Sequence, residues 1–201
     1  MHDWRAREAR RAERGTTTVS MLRSVAEQAC AGARSDAAAR NFEHLEAGMA
    51  QGKPGDFDFL AGEWKIKHKR LKTPHTSEWE EFEGEATCWT ILGGIGSVEE
   101  LRVPSRNFMG MGLRLLDVKQ AVWNDFWVNA NWGVLTTPGQ TGNFENGVGT
   151  FTADDKDGEK PIKVKGVWDR ITPTSCRWWQ SISWDGGVTW EDNWYMDWTR
   201  A

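Results

Sequence analysis

From Trp64 to the C terminus, apolar and polar residues alternate in short runs that turn-forming residues separate. Between Phe82 and Cys88, for example, apolar or small residues occupy every second position, and glutamate or threonine occupies the others. Successive side chains of a strand point to opposite faces, so this pattern predicts strands with one buried face. Many such strands are typical of an all-β barrel or sandwich. The predicted strands cover approximately residues 64–70, 81–88, 97–103, 110–116, 121–129, 147–153, 162–171, 177–184 and 189–199.

The two ends of this region favour a closed barrel over a two-layer sandwich. Gly62 and Trp64 begin the first strand as a Gly-x-Trp motif, and the last strand ends on Arg200. A guanidinium that covers an indole near the barrel floor would join the first strand to the last by stacking and cation–π attraction. We therefore predict a single closed antiparallel β-barrel of about eight to ten strands, a size that can enclose one small ligand.

The composition changes near residue 55. Residues 1–50 are rich in Ala, Arg and Glu and contain no Pro, whereas Gly52-Lys53-Pro54-Gly55 breaks the pattern. We predict a helical or disordered extension over residues 1–54 and the barrel domain over residues 55–201. Two roles for the extension stay open, namely a solvent-exposed segment or a helix that covers a barrel mouth or mediates dimerisation.

Charge and cysteine content exclude several classes of function. The net charge is −4 and the isoelectric point is about 5.6, so no basic field favours nucleic acid or an anionic membrane. Cys30, Cys88 and Cys176 are widely spaced and form no Cys-x-x-Cys pair, which argues against a disulfide framework and a zinc site. No segment approaches the roughly 20 apolar residues of a membrane span. We expect a cytoplasmic protein without a metal site.

Alternation along the strands selects candidates for the barrel interior. Counting from Trp64 places His68 and Arg70 on one face, and counting from Ile182 places Gln180 and Trp178 inward. Each count assumes no β-bulge, because one bulge reverses every side chain after it. The count from Arg200 places inward Trp198, Met196, Trp194 and Asp192. The candidate ligand-binding residues are Arg70, Trp127, Trp178, Gln180 and Trp194.

Charged residues inside the barrel would determine its chemistry more than any motif. Besides Arg70, the candidates are Glu99 or Glu100, Arg114, and Asp125 between Trp123 and Trp127. The alternative is that most of these charges face water or pair at the rim.

His68 is the candidate catalytic residue, since it is the only histidine on a predicted strand. A histidine inside an apolar cavity suits general acid–base chemistry or ligation of a haem iron. The alternative is a hydrogen-bonded lining residue, or one displaced outward by strand twist.

The segment from Ser183 to Trp190 fits the Asp-box pattern, with Asp185 and Gly187 at the motif positions. Asp185 can accept backbone N–H bonds across a hairpin tip, Gly187 can adopt a positive φ, and Trp190 can pack over the turn. A propeller would need several boxes at a regular period, and this chain has one. We predict a structural hairpin.

The motif Asp58-Phe59-Leu60-x-Gly62-x-Trp64 and the terminal Arg200 resemble the calycin superfamily, which includes lipocalins and fatty-acid-binding proteins. Residues 56–200 most resemble a family of uncharacterised bacterial lipocalin-like domains. That resemblance implies a barrel with a ligand cavity and is nearly silent on chemistry. Haem-binding barrels of the nitrobindin type share the Gly-x-Trp start, but their axial histidine lies on a late strand. No histidine follows His75 here, so we predict no haem and no other cofactor.

Three functions remain open. The first is binding of a small hydrophobic or aromatic ligand in the barrel cavity, with His68, Arg70 and Gln180 orienting a polar end. The second is a cofactor-free isomerase, lyase or hydrolase that uses His68 as acid or base. The third is a structural homodimer with a filled barrel, because 13 of the 14 tryptophans lie between Trp64 and Trp198 and Trp is enriched in interface cores.

Overall fold

A computed structural model describes residues 50–201. The strands formed by these residues are β1 (Gly62–Leu71), β2 (Trp79–Ile91), β3 (Gly96–Val103), β4 (Phe108–Asp117), β5 (Val122–Asn129), β6 (Gln140–Glu145), β7 (Val148–Asp157), β8 (Lys160–Asp169), β9 (Ser175–Ser183) and β10 (Glu191–Arg200). Each strand pairs antiparallel with the next, and β10 pairs with β1. The predicted closed antiparallel barrel is confirmed for the described residues, and the sandwich alternative is wrong.

The predicted N-terminal extension lies outside the described residues, except for its last few. Those residues run along the barrel end where β4 turns into β5. The Gly52 N–H donates to the Ala121 carbonyl over 2.7 Å, and the Asn143 side-chain amide donates to the Ala50 carbonyl over 2.8 Å. Ala50 and Gly52 are therefore anchored to this end of the barrel.

The floor of the barrel is an aromatic cluster beneath a short 3-10 turn at Asp58–Leu60. Phe57, just before that turn, lies 4.9 Å from the ring centroids of both Trp123 and Phe144, edge to face in each case. Phe57 and Leu60 are fully buried, as are Trp64 and Trp198 on the adjoining strands. Aromatic side chains bury a large apolar area each, so this cluster seals one end of the barrel.

The first and last strands meet at this floor. Trp64 and Arg200 are paired residues of β1 and β10, and the Arg200 guanidinium lies 3.9 Å from the Trp64 ring centroid. The same guanidinium donates to the carbonyl oxygens of Phe59 and Ala61. Gly62 has a φ of +122°, and a Cβ there would lie 2.5 Å from Arg200 Nη1. The structure thus brings Gly62, Trp64 and Arg200 into one contact.

The hairpin between β9 and β10 is held by Asp185. Its carboxylate accepts from the Ser183 hydroxyl and from the backbone N–H groups of Val188 and Thr189. The side chain and backbone of Thr189, followed by Ser183, hold the pKa of Asp185 well below its usual range. Gly187 has a φ of +101°, and the Trp190 indole N–H donates to its carbonyl. These contacts lie within one turn, as a structural hairpin requires.

Two strand predictions need correction. The strand β6 was not predicted, because Gln140–Glu145 is short and mostly polar and shows little alternation. Asn146 and Gly147, with φ values of 51° and 79°, turn β6 into β7, and this Asn-Gly pair is a strong hairpin signal. The second correction concerns Asp192, which was counted as inward. A register shift between Asp192 and Trp194 reverses it, so that it accepts from the Tyr195 hydroxyl.

The contact of Gly62 with Arg200 predicts that a side chain at position 62 strongly destabilises the fold. Gly62→Ala should lower the free energy of unfolding by about 2–4 kcal/mol, because it adds backbone strain at positive φ and displaces Arg200. Gly158→Ala is the matched control, since Gly158 has a φ of +62° and a Cβ added there would meet no atom of the described chain within 4 Å. It should cost only about 1 kcal/mol. Denaturant unfolding of both variants measures the difference, and equal costs would show that Arg200 adds nothing.

Candidate functional site

The barrel encloses a cavity of about 350 Å³, bordered by strands β3 to β10. Most of its wall is apolar. The aromatic residues that line it are Phe126, Trp127, Trp168, Trp178, Trp194 and Trp198. Aliphatic side chains such as Val164 and Ile182 complete the apolar wall, and Thr136 of the β5–β6 loop and Asp155 of β7 also border the cavity.

Four of the predicted ligand-binding residues border this cavity, namely Trp127, Trp178, Gln180 and Trp194. Trp178 and Trp194 are edge to face with centroids 5.7 Å apart, so each indole supports the other. The Gln180 amide donates to Asn193 Oδ1 over 3.1 Å. Their contact with a ligand stays a prediction.

His68 and Arg70 are not among the residues that line the cavity. His68 is buried against the β1–β2 wall, stacked on Phe82 with ring centroids 4.5 Å apart. Arg70 shares its face but lies near the end of β1, where it is exposed and covers the Trp194 ring at 4.6 Å. Their contact with a ligand stays a prediction that the cavity lining does not support.

The environment of His68 keeps it neutral. Burial first, and then the charges of Arg106 and Arg70, lower its pKa to about 4. Its Nδ1 accepts from the Trp194 indole N–H over 3.2 Å, so the proton of the neutral ring lies on Nε2. His68 therefore acts here as an acceptor that orients Trp194, which does border the cavity.

The charged residues of the cavity are Glu99, Arg114, Asp125 and Asp155. Arg114 donates through Nη2 to Glu99 Oε2 over 2.6 Å, and its Nε lies 3.5 Å from Asp125 Oδ1. Neighbouring strands bring these three together, since Arg114 of β4 pairs with Asp125 of β5 and Glu99 of β3 pairs with Gly112. Glu99 is therefore the inward residue of the Glu99–Glu100 pair, and Glu100 pairs with Arg102 instead.

Arg114 is packed from several directions. Its guanidinium lies 5.4 Å from the Phe57 ring centroid and 5.2 Å from that of Trp168. Within the described residues, its Nε and Nη1 have no hydrogen-bond partner, and the same holds for the indole nitrogens of Trp168 and Trp198. Unpaired buried donors are costly, so these nitrogens favour an additional acceptor such as a water molecule.

The pKa of Asp125 is raised to about 6, because burial, the largest cause, and the charge of Glu99 together outweigh the opposing effect of Arg114. A carboxyl group with this pKa changes its charge just below neutral pH. Asp125 is thus the cavity residue whose protonation responds to mild acidification.

Glu99, Arg114 and Asp125 were predicted only as candidates among several charged residues. A usable signal lies in β4, where Gly110, Gly112 and Arg114 share the inward face. A Cβ at Gly110 would overlap the Trp127 ring, and one at Gly112 would lie 3.0 Å from Arg114 Nη2. Inward glycines therefore indicate where large side chains of the same face, or of the next strand, enter the interior.

No protein-family model and no curated protein matches the chain. Among residues 50–201, no group of three or more His, Cys, Asp or Glu side chains is placed to hold a metal ion. The described part of the chain also contains no helix long and apolar enough to span a membrane.

The raised pKa of Asp125 predicts a pH-dependent stability. The folded protein binds the proton of the Asp125 carboxyl more tightly than the unfolded chain does, so this proton stabilises the fold. The stabilisation is complete below about pH 4 and is lost as the pH rises through 6. Asp125→Asn removes this loss. The free energy of unfolding of the variant, relative to the native protein, should rise by about 2–3 kcal/mol between pH 4 and pH 8.

Denaturant titrations at several pH values measure this difference. Glu159→Gln, which removes an exposed carboxylate from the β7–β8 turn, is the control and should show a nearly constant difference. A constant difference for Asp125→Asn as well would contradict the assignment.

Proposed function

We propose that this protein binds a small, largely apolar molecule in the barrel cavity. The observation that carries the proposal is the cavity itself, about 350 Å³ with a wall of indole and aliphatic side chains. Small-molecule sites have volumes of about 300–1,000 Å³ and mostly apolar walls with a few convergent polar groups. The Glu99–Arg114–Asp125 cluster supplies such groups.

Burial supplies the affinity in this proposal. A ligand that loses roughly 200 Å² of apolar surface to water gains about 5 kcal/mol before the costs of binding. The paired indoles of Trp178 and Trp194 are held by each other and by His68, so little side-chain ordering is needed when a ligand enters. Binding is therefore limited by the fit to the cavity.

The other two functions have less support. The enzymatic hypothesis assigned the role of acid or base to His68. This side chain is neutral, buried and outside the cavity lining. The homodimer hypothesis required a filled barrel, and the interior contains the cavity. Two of the outer indoles, Trp179 and Trp190, are also covered by Lys165 of the same chain, at 5.4 and 4.3 Å.

A relationship to the calycins is part of the same proposal. It is supported by the barrel architecture together with the contact of Gly62, Trp64 and Arg200 at the barrel floor. Because one barrel hosts many functions, the proposal of ligand binding depends on the cavity and not on this relationship.

Filling the cavity should abolish binding without unfolding the barrel. Val164 borders the cavity from β8, and Val164→Phe places a phenyl ring in that space. We expect the affinity for an apolar fluorescent probe such as 1-aminoanthracene to fall at least tenfold, measured by titration of probe fluorescence.

Val148→Phe is the matched control, because Val148 is 39% exposed on β7 and is not part of the cavity wall. It should leave the affinity within about twofold of the native value. Equal affinity for both variants would mean that the probe binds elsewhere and would refute the proposal, and circular dichroism verifies that each variant is folded.

A further inference from the structure

We infer that the ligand of this cavity carries a positively charged amino group, which Asp125 binds, on an apolar body. The inference rests on the proposed function and names the chemical class of its ligand. Three of the four charged residues that border the cavity are carboxylates, namely Glu99, Asp125 and Asp155, against the single cation Arg114. With all four ionised, this part of the described wall has a net charge of −2, which favours a cation over an anion.

Asp125 is the member of the inner cluster that the cavity exposes most. Its side chain is 17% accessible, whereas those of Arg114 and Glu99 are 5% and 3% accessible. The two nitrogens of Arg114 that have no partner among the described residues are themselves buried. A molecule in the cavity therefore meets a carboxylate before it meets the guanidinium.

The ion pair within the cluster leaves the charge of Asp125 incompletely neutralised. Arg114 donates its short hydrogen bond to Glu99 over 2.6 Å, while Asp125 Oδ1 lies 3.5 Å from Arg114 Nε. A buried carboxylate without a close hydrogen-bonded partner is costly to ionise. A ligand ammonium group would supply that partner, whereas a ligand carboxylate would add a second negative charge.

The indoles of the cavity wall suit the same group. Trp127 lies two residues along β5 on the same face, and its ring is stacked on that of Phe108 at 6.3 Å. Arg70 and Arg114 already cover Trp194 and Trp168. Within the described chain, no lysine or arginine covers Trp127 or Trp178. An ammonium group is attracted to the face of an indole by the quadrupole of the ring.

Three probes with one apolar body test the inference: 4-phenylbutylamine, 4-phenylbutan-1-ol and 4-phenylbutyrate. They differ only in a positive, neutral or negative end. We expect isothermal titration calorimetry at pH 7.5 to show that the amine binds at least tenfold more tightly than the alcohol, and that the acid binds more weakly than the alcohol.

Asp125→Asn should bring the affinity for the amine to within about threefold of the affinity for the alcohol. The matched control is Asp154→Asn, which removes an 82% exposed carboxylate from β7 and should preserve the preference for the amine. The ratio of amine to alcohol affinity is the readout, so a general loss of packing affects both probes and cancels.

A pH series on the native protein gives the same test without a variant. Asp125 faces Arg114 of β4, Glu99 of β3 and Gln140 of β6. Between pH 7.5 and pH 5 the amine stays protonated while Asp125 takes up a proton. The preference for the amine over the alcohol should fall several-fold.

The possible results separate the two proposals. If the alcohol binds and the amine has no advantage, or the acid binds most tightly, the inference is wrong and ligand binding in the cavity stands. If the Asp125→Asn variant keeps the full preference for the amine, Asp125 is not the group that binds the ammonium group of the ligand, and the inference is wrong. If none of the three probes binds and the apolar fluorescent probe also fails, both proposals are refuted.

Discussion

The antiparallel pairing of β1 with β10, held by Arg200, is the interaction on which the interior of this protein depends. Arg200 covers Trp64 and also donates to backbone carbonyls of the segment before β1, so one side chain joins both ends of the barrel region. Closure gives each strand of the described barrel a neighbour on both sides and fixes the circumference. The architecture therefore sets the volume of the interior. The inward side chains determine how much of that volume is filled and how much remains as a cavity.

That division is uneven around the barrel. On the side of β1 and β2, His68 stacks on Phe82 and fills the interior, with Gly84 leaving the space that the imidazole needs. On the opposite side, the inward glycines of β4 give room to Trp127 and Arg114, and the cavity remains beyond them. The Glu99–Arg114–Asp125 cluster therefore comes from β3 to β5, while most of the apolar wall comes from β8 to β10.

The architecture was predictable from the sequence where the alternation is strict, as in β1 and in β2 between Phe82 and Cys88. The prediction failed where a local feature interrupts the period. A bulge before Trp194 turned Asp192 outward, and the polar strand β6 showed little alternation. The site was less predictable, because burial of a charge depends on residues from neighbouring strands. Glu99 and Asp125 are recognisable as partners only once the register beside Arg114 is known.

The neutral state of His68 has a consequence for any measurement on the cavity. Its pKa of about 4 means that the hydrogen bond with Trp194 persists throughout the physiological pH range. The charge beside the Trp194 indole therefore does not change through His68 between about pH 5 and pH 8. Histidine is the side chain that most often changes its charge near neutral pH, but His68 stays neutral in this range. The position of the Trp194 indole in the cavity wall therefore does not depend on pH through His68 in this range.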